Sequence, residues 1–425
     1  MKLLLTDNLE RSRGTVFFRL VFALPFLIWL AVWGVAALFV AFVTWIATLF
    51  EGRPPAPLHE FLARFVRFAT HTYAYLNLAA EPLPAFDGKP GYTVDVEIEP
   101  PVPQSRWTVA FRIVLVLPAF FLLAVLFGSG SSGQAIWAGG RPGFGGLIGT
   151  AALLAWFFAM ARGRMAHGLR DLIAYVISYG AQTWSYLLLV SDHYPDSDPQ
   201  TAIGPLPIRS DPIRLEVSDD LRRSRLTVFF RLALAAPHLA WLALWGVLAL
   251  LAAIATWFAV LFTGSAPGWA HRFLARYLRY QTHVLAFLHL VGNPFPGFVG
   301  APGSYPVELH VAGPVEQNRW TAFFRLVLAV PALMLAAVFT QVLFAISVLG
   351  WFAGLFTAQM PLGLRNLGAF ALRYTAQFSG YLLLLTGAYP YSGPCREEAP
   401  AVPSAPTPMP IPPIAPLPAP VVPAA

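Results

Sequence analysis

At 425 residues, 57% hydrophobic and 12% charged, the chain has about half the charged share of a soluble globular protein, and its class is membrane. The basic excess, a formal +7, is almost all arginine, with lysine only at Lys2 and Lys89. It clusters beside apolar runs, as at cytoplasmic membrane edges that meet anionic lipid, and no nucleic-acid partner is expected. The single cysteine, Cys395, excludes an internal disulfide framework.

The chain opens on a strand-like segment, Lys2 to Thr6, and no cleavable signal peptide is expected, because Met1 to Arg13 aligns with Ile213 to Arg225. The motif Arg13-Gly-Thr-Val-Phe-Phe-Arg19 follows, with Pro25 and an apolar run to Phe50. It returns as Arg106 to Arg112 with Pro118, Arg225 to Arg231 with Pro237, and Arg319 to Arg325 with Pro331, six residues from Arg to Arg each time and six from Arg to Pro. At an offset of 212, Trp33, Trp45, Pro55, His59, Arg64, Arg67 and His71 fall on Trp245, Trp257, Pro267, His271, Arg276, Arg279 and His283. The expected organisation is therefore four modules in two tandem units, at 1–91, 92–211, 212–304 and 305–393, followed by a Pro/Ala-rich disordered tail over 394–425.

Strand-like alternation also marks Tyr92 to Ile98, Ile213 to Val217 and Tyr305 to Val311, and four such strands would make one small extramembrane sheet. Phe17 to Phe50 would be about 50 Å of helix, too long for one perpendicular span of a roughly 30 Å core and short for two. The second module interrupts its run with the Gly/Ser-rich insertion 128–146, which falls opposite Trp33-Gly34, Trp245-Gly246 and Thr340-Gln341. Each run is expected to be a helical hairpin turning there, with Trp33 and Trp245 at the far interface and Trp107 and Trp320 at the near one. The next helix, Leu58 to Leu78, carries Arg64, Arg67 and His71 beside an aromatic face and is expected to lie amphipathically at the surface. The fold class is thus mostly α: a polytopic membrane protein of repeated transmembrane helical hairpins and amphipathic interfacial helices, in the inner membrane, with both termini cytoplasmic.

The second and fourth modules close on Tyr186-Leu-Leu-Leu…Tyr194-Pro195 and Tyr381-Leu-Leu-Leu…Tyr389-Pro390. Together with Phe230-Arg231-Leu232, Pro237-His238, Gly264 with Pro267, and Arg279, these residues resemble a bacterial membrane family, the domain of unknown function 4389. The resemblance spans nearly all of residues 1 to 393. It implies a repeated membrane module and no catalytic residue. Module two departs from the pattern by its insertion and by lacking the helix arginine.

No catalytic, cofactor or metal motif emerges. Gly128-Ser-Gly-Ser-Ser-Gly lacks the Lys-Ser/Thr of a phosphate loop, and His59-Glu60 lacks the second histidine of a zinc-protease helix. Asp192, Asp196 and Asp198 have no acidic counterparts in module four and read as a solvated turn. The most distinctive polar positions are Arg19, Arg112, Arg231 and Arg325. Two readings stand: snorkelling topological anchors, or a ring for phosphate head groups or a partner, shared with Arg64, Arg67, Arg276, Arg279 and Arg373. The function expected first is a non-catalytic membrane scaffold or subunit binding anionic lipid or a partner, through the cytoplasmic face or the Pro-rich tail. A small-solute transporter or channel is the alternative, and a lipid-modifying enzyme using His71 or His283 comes last.

Overall fold

A computed structural model describes residues 1–128 and 145–397. The first ninety residues form strand β1 (Lys2–Leu5), helix α1 (Arg13–Glu51) and helix α2 (Ala56–Leu76). α1 is one helix of 39 residues. It runs straight through Trp33-Gly34, so the hairpin expected inside the apolar run does not form. Those residues are a packing knot instead: the Trp33 ring lies 6.0, 6.1 and 5.4 Å from the rings of Phe61, Phe65 and Phe68 on α2. Trp245 meets Phe273, Tyr277 and Tyr280 in the same way, so neither tryptophan is a far-interface anchor. Trp107 and Trp320, by contrast, are exposed at helix starts.

The real turn comes at the end of the run. Gly52 takes the left-handed conformation that ends α1 (φ 73°), and Pro55, extended and lacking an N–H, opens α2. Gly264 with Pro267 and Ala358 with Pro361 repeat it. The Arg-bearing helix therefore folds back against the apolar helix and does not lie alone on a surface. Its aromatic face seals the contact with α1, and its polar flank turns toward the strands.

Residues 92–211 carry β2 (Val94–Glu97), α3 (Arg106–Ala110), α4 (Arg112–Leu115), α5 (Leu117–Phe127), α6 (Gly146–Arg162) and α7 (His167–Leu187). β3 (Ile208–Arg209) ends that stretch, and the second half contributes β4 (Ile213–Val217), α8 (Arg225–Phe229), α9 (Arg231–Thr263) and α10 (Gly268–Leu288). It closes with β5 (Val307–Val311), α11 (Arg319–Phe323), α12 (Arg325–Leu328), α13 (Val330–Thr357), α14 (Leu362–Leu382) and β6 (Arg396–Glu397). α5 and α6, of 11 and 17 residues, together match the 28 of α13. Gly128 abuts the Gly145–Gly146 backbone. Buried Ala119, Leu122, Ala151 and Ala155 correspond to buried Ala332, Leu335, Ile346 and Gly350. The insertion therefore interrupts one helix and does not separate two spanning limbs; its residues 129–144, like the tail beyond 397, lie outside the described residues.

The strands do not merge into one sheet. β1 pairs antiparallel with β2, β4 antiparallel with β5, and β3 parallel with β6. Leu3, Val94 and Val96 in one ribbon and Val307 and Leu309 in the other are buried, so each ribbon has an apolar side to lay against the return helices of its own half. Those helices form the interior, and α7 is buried almost throughout.

The apolar helices are antiparallel within each half and tied end to end. Backbone N–H groups just before each helix donate to the residue that ends its partner: Arg11 to Gly163 (3.0 Å), Gln104 to Gly52 (2.8 Å), Arg223 to Ala358 (2.9 Å) and Gln317 to Gly264 (2.8 Å). The halves meet where α13 packs against α5 and α6, and beside that seam Asn366 of α14 donates to Asp198 (2.6 Å) and the Tyr391 hydroxyl to Asp171 of α7 (3.3 Å).

Candidate functional site

The repeated arginines sort into two jobs. A helix leaves its last carbonyls without intrahelical partners, and the partial negative charge there favours a cation. The first arginine of each motif serves the neighbouring apolar helix. Arg13 donates to Ala161 O (3.3 Å), Arg106 to Phe50 O (2.9 Å) and Arg225 to Phe356 O (3.3 Å), while Arg319 lies against Gly264. All four remain exposed.

The second arginine clasps the end of its own return helix. Arg19 donates to the carbonyls of Tyr75 and Ala80 and to Glu81 (2.6 Å). Arg112 donates to Tyr186 O (2.8 Å), Ser191 O (3.1 Å) and Asp192 (2.6 Å). Arg231 donates to Gly292 O (2.9 Å) and Asn293 O (3.3 Å), and Arg325 to Thr386 O (3.0 Å), Tyr381 O and Gln317 (2.6 Å). Each guanidinium is also stacked, over Tyr75, Tyr186, Phe287 and Tyr381 at 4.3–4.4 Å. At 3, 1, 3 and 2% exposure these four groups are inside the protein, out of reach of a head-group phosphate. They are neither snorkelling anchors nor a binding ring.

The remaining candidates divide further. Arg67 pairs with Asp95 (3.3 Å) and Arg279 with Glu308 (2.9 Å), joining the return helices to the ribbons. Arg373 is buried, donating to Gly393 O (2.6 Å) and to the Cys395 sulfur. Arg64 is exposed beside Glu60 (2.5 Å), and Arg276 is exposed. Sequence reasoning passed over Arg11 and Arg223, which are buried in ion pairs with Asp7 (2.8 Å) and Asp219 (2.7 Å) and donate to Leu78 O and Leu290 O. Their signal was present: Arg11-Ser-Arg13 and Arg223-Ser-Arg225 alternate with Gln104-Ser-Arg106 and Gln317-Asn-Arg319. Both glutamines donate to the equivalent leucine carbonyls, Leu189 and Leu384.

The recurring histidines differ between the halves. His71 Nε2 is 3.0 Å from Asp95 Oδ1, whose carboxylate also accepts from the Gly91 and Val96 N–H groups. Both residues are buried, so the pair is a tie between α2 and β2. His283 stands 3.8 Å from Glu308, and burial, then the Arg279 charge, pushes its pKa down to about 4. Among the described residues no group of three His, Cys, Asp or Glu side chains is placed to hold a metal ion.

The longest open faces are apolar. Among the described residues three helices, α1, α9 and α13, are long and apolar enough to cross a membrane, and α1 and α9 expose large side chains along their whole lengths, from Phe17 to Phe50 and from Leu232 to Phe262. A cleft of about 410 Å³ opens between α1, α2, α5 and α7, lined by Phe65, Tyr73, Phe120, Phe127, Ile177 and Trp184 among others. A polar cleft of about 470 Å³ lies over β4 and α14 beside Arg365 and His310.

No curated protein and no solved structure matches the chain. A family model, described as a domain of unknown function, matches residues 13–87, 225–299 and 319–392, over half the chain. It passes over the segment that carries the insertion and lacks the helix arginine. Three matches of one model on this repeated helix pair make the chain a member of the family of domain of unknown function 4389.

Proposed function

We propose that this protein is a non-catalytic, membrane-embedded scaffold that binds anionic lipid head groups, built as four module copies in two tandem units. One observation carries the reading: the apolar helices α1 and α9 are packed on one side only and leave the rest of their surface uncovered, with exposed arginines at their ends. A helix that is apolar around most of its circumference and covered by its own protein on one side only needs hydrocarbon around the rest. The head-group contacts fall to the first arginines of the motifs, Arg13, Arg106, Arg225 and Arg319, with Arg64 and Arg276 in support. Each is worth about 1 kcal/mol near an anionic surface, roughly fivefold in affinity.

Flotation with phosphatidylglycerol and phosphatidylcholine vesicles tests this. The protein should float with both and prefer the anionic one. Changing Arg13, Arg106, Arg225 and Arg319 to Gln should remove most of that preference and leave binding to the neutral vesicle. Failure to float with either, or equal binding to both by the unmodified protein, would overturn the reading.

A further inference from the structure

Resting on the membrane-embedded reading above, we infer that the apolar helices lie along the plane of the membrane in one leaflet and do not cross it. Their length is the first observation. Leu20 to Phe50 of α1 holds no charged residue, which is about 46 Å of helix at 1.5 Å per residue. Crossing a core of about 30 Å would require a tilt of roughly 50°, outside the 0–40° that spanning helices adopt.

Connectivity is the second. α1 and its antiparallel partner in residues 92–211 are tied at both ends, Arg11 to Gly163 and Gln104 to Gly52. Were they to cross, those two ties would lie on opposite sides of the bilayer. Yet only residues 6–10 separate β1 from Arg11 and only 98–103 separate β2 from Gln104, connections that reach at most about 20–25 Å, and the two strands pair with each other. The ribbon therefore sits about halfway along the helices. In a crossing orientation that is the depth of the bilayer centre.

The third observation is what lies at that depth. Trp29 Nε1 donates to Phe86 O (3.1 Å), which places the loop after α2 beside the middle of α1. On that loop Asp87 and Lys89 pair at 2.8 Å with their side chains 43% and 67% exposed. The Glu216–His310 pair on the second ribbon is 62% and 49% exposed. Exposed charges facing hydrocarbon at mid-depth are among the least tolerated placements in a membrane. Laid flat, the same geometry puts the apolar helices among the acyl chains, the return helices above them, and the ribbons with their charged pairs in water. The partner this surface fits is a single leaflet.

The test uses the full chain with Cys395→Ser and single cysteines by Ser12→Cys, Glu51→Cys and Lys89→Cys, at the start, the end and beside the middle of α1. In sealed cell-derived vesicles, all three should react with an impermeant maleimide from one and the same face. Reaction of Ser12→Cys and Glu51→Cys from opposite faces would overturn the inference. Polarised infrared absorption of the unmodified protein in oriented bilayers, which needs no variant to fold, should place the mean helix axis near the membrane plane; an axis near the normal would overturn it. Vesicle flotation is read separately, so a protein that floats but labels from two faces refutes this inference alone.

Discussion

Replacing Arg112 by methionine separates a structural clasp from a lipid ligand. The guanidinium donates to Tyr186 O at 2.8 Å, Ser191 O at 3.1 Å and Asp192 at 2.6 Å, and lies 4.4 Å from the Tyr186 ring centroid. Methionine keeps much of the stem's packing on that ring and donates nothing. The Tyr186 carbonyl, where α7 ends, keeps a long 3.3 Å bond from the Leu189 N–H, while the Ser191 carbonyl lies beyond the helix, and a buried acceptor left short of its donor costs about 1–3 kcal/mol. Asp192, whose side chain is 33% exposed, regains water, and its share is discounted accordingly. The expected loss is about 2–5 kcal/mol, a large part of a typical domain's stability. Denaturant titration in mild detergent would read it, and amide exchange at residues 186–191 should accelerate locally. A loss below about 0.5 kcal/mol, accompanied by weaker binding to anionic vesicles, would refute the clasp and restore Arg112 as a head-group ligand.

Protonation provides a second test. With a folded pKa of about 4 for His283 against an unfolded value near 6.5, the unfolded chain takes up the proton first. Its contribution is thus complete above pH 6.5 and is lost as pH falls toward 4, by on the order of 3 kcal/mol. His283→Gln should flatten that part of the stability profile, and parallel profiles for the two proteins between pH 7 and 4.5 would contradict it. Deleting residues 128–145 should splice α5 to α6 into a continuous helix and raise stability by roughly 2–3 kcal/mol through the loop closure removed; loss of a cooperative melt in circular dichroism would show that the insertion is structural. At the seam between the halves, a β-carbon on Gly168 would come within 2.8 Å of Ser392 Oγ and 3.2 Å of Gly393 N. Gly168→Val should therefore cost about 1–3 kcal/mol, while Gly204→Ala, with nothing within 4 Å, should barely move the melting temperature.

Much of the architecture was legible in one chain read alone. Spacing is a covalent property, so the recurrence of Arg13 and Arg19, the Pro that follows, the Gly-x-x-Pro turns and the closing Tyr-Leu-Leu-Leu could be counted without coordinates. Apolar length and the absence of ionised groups between Leu20 and Phe50 likewise implied a hydrocarbon partner, because water tolerates such a surface poorly wherever the chain folds. Only the tertiary structure decided what those features do. Trp33-Gly34 looked like a turn because an insertion falls opposite it, but Phe61, Phe65 and Phe68, some thirty residues away, make it a packing contact. The second arginines looked like membrane anchors because they flank apolar runs. Their acceptors are carbonyls at the ends of helices 56 to 79 residues distant, and backbone carbonyls carry no residue identity for a sequence to display. Whether a charge meets lipid, water or a buried helix end is set by chain segments that come together only on folding.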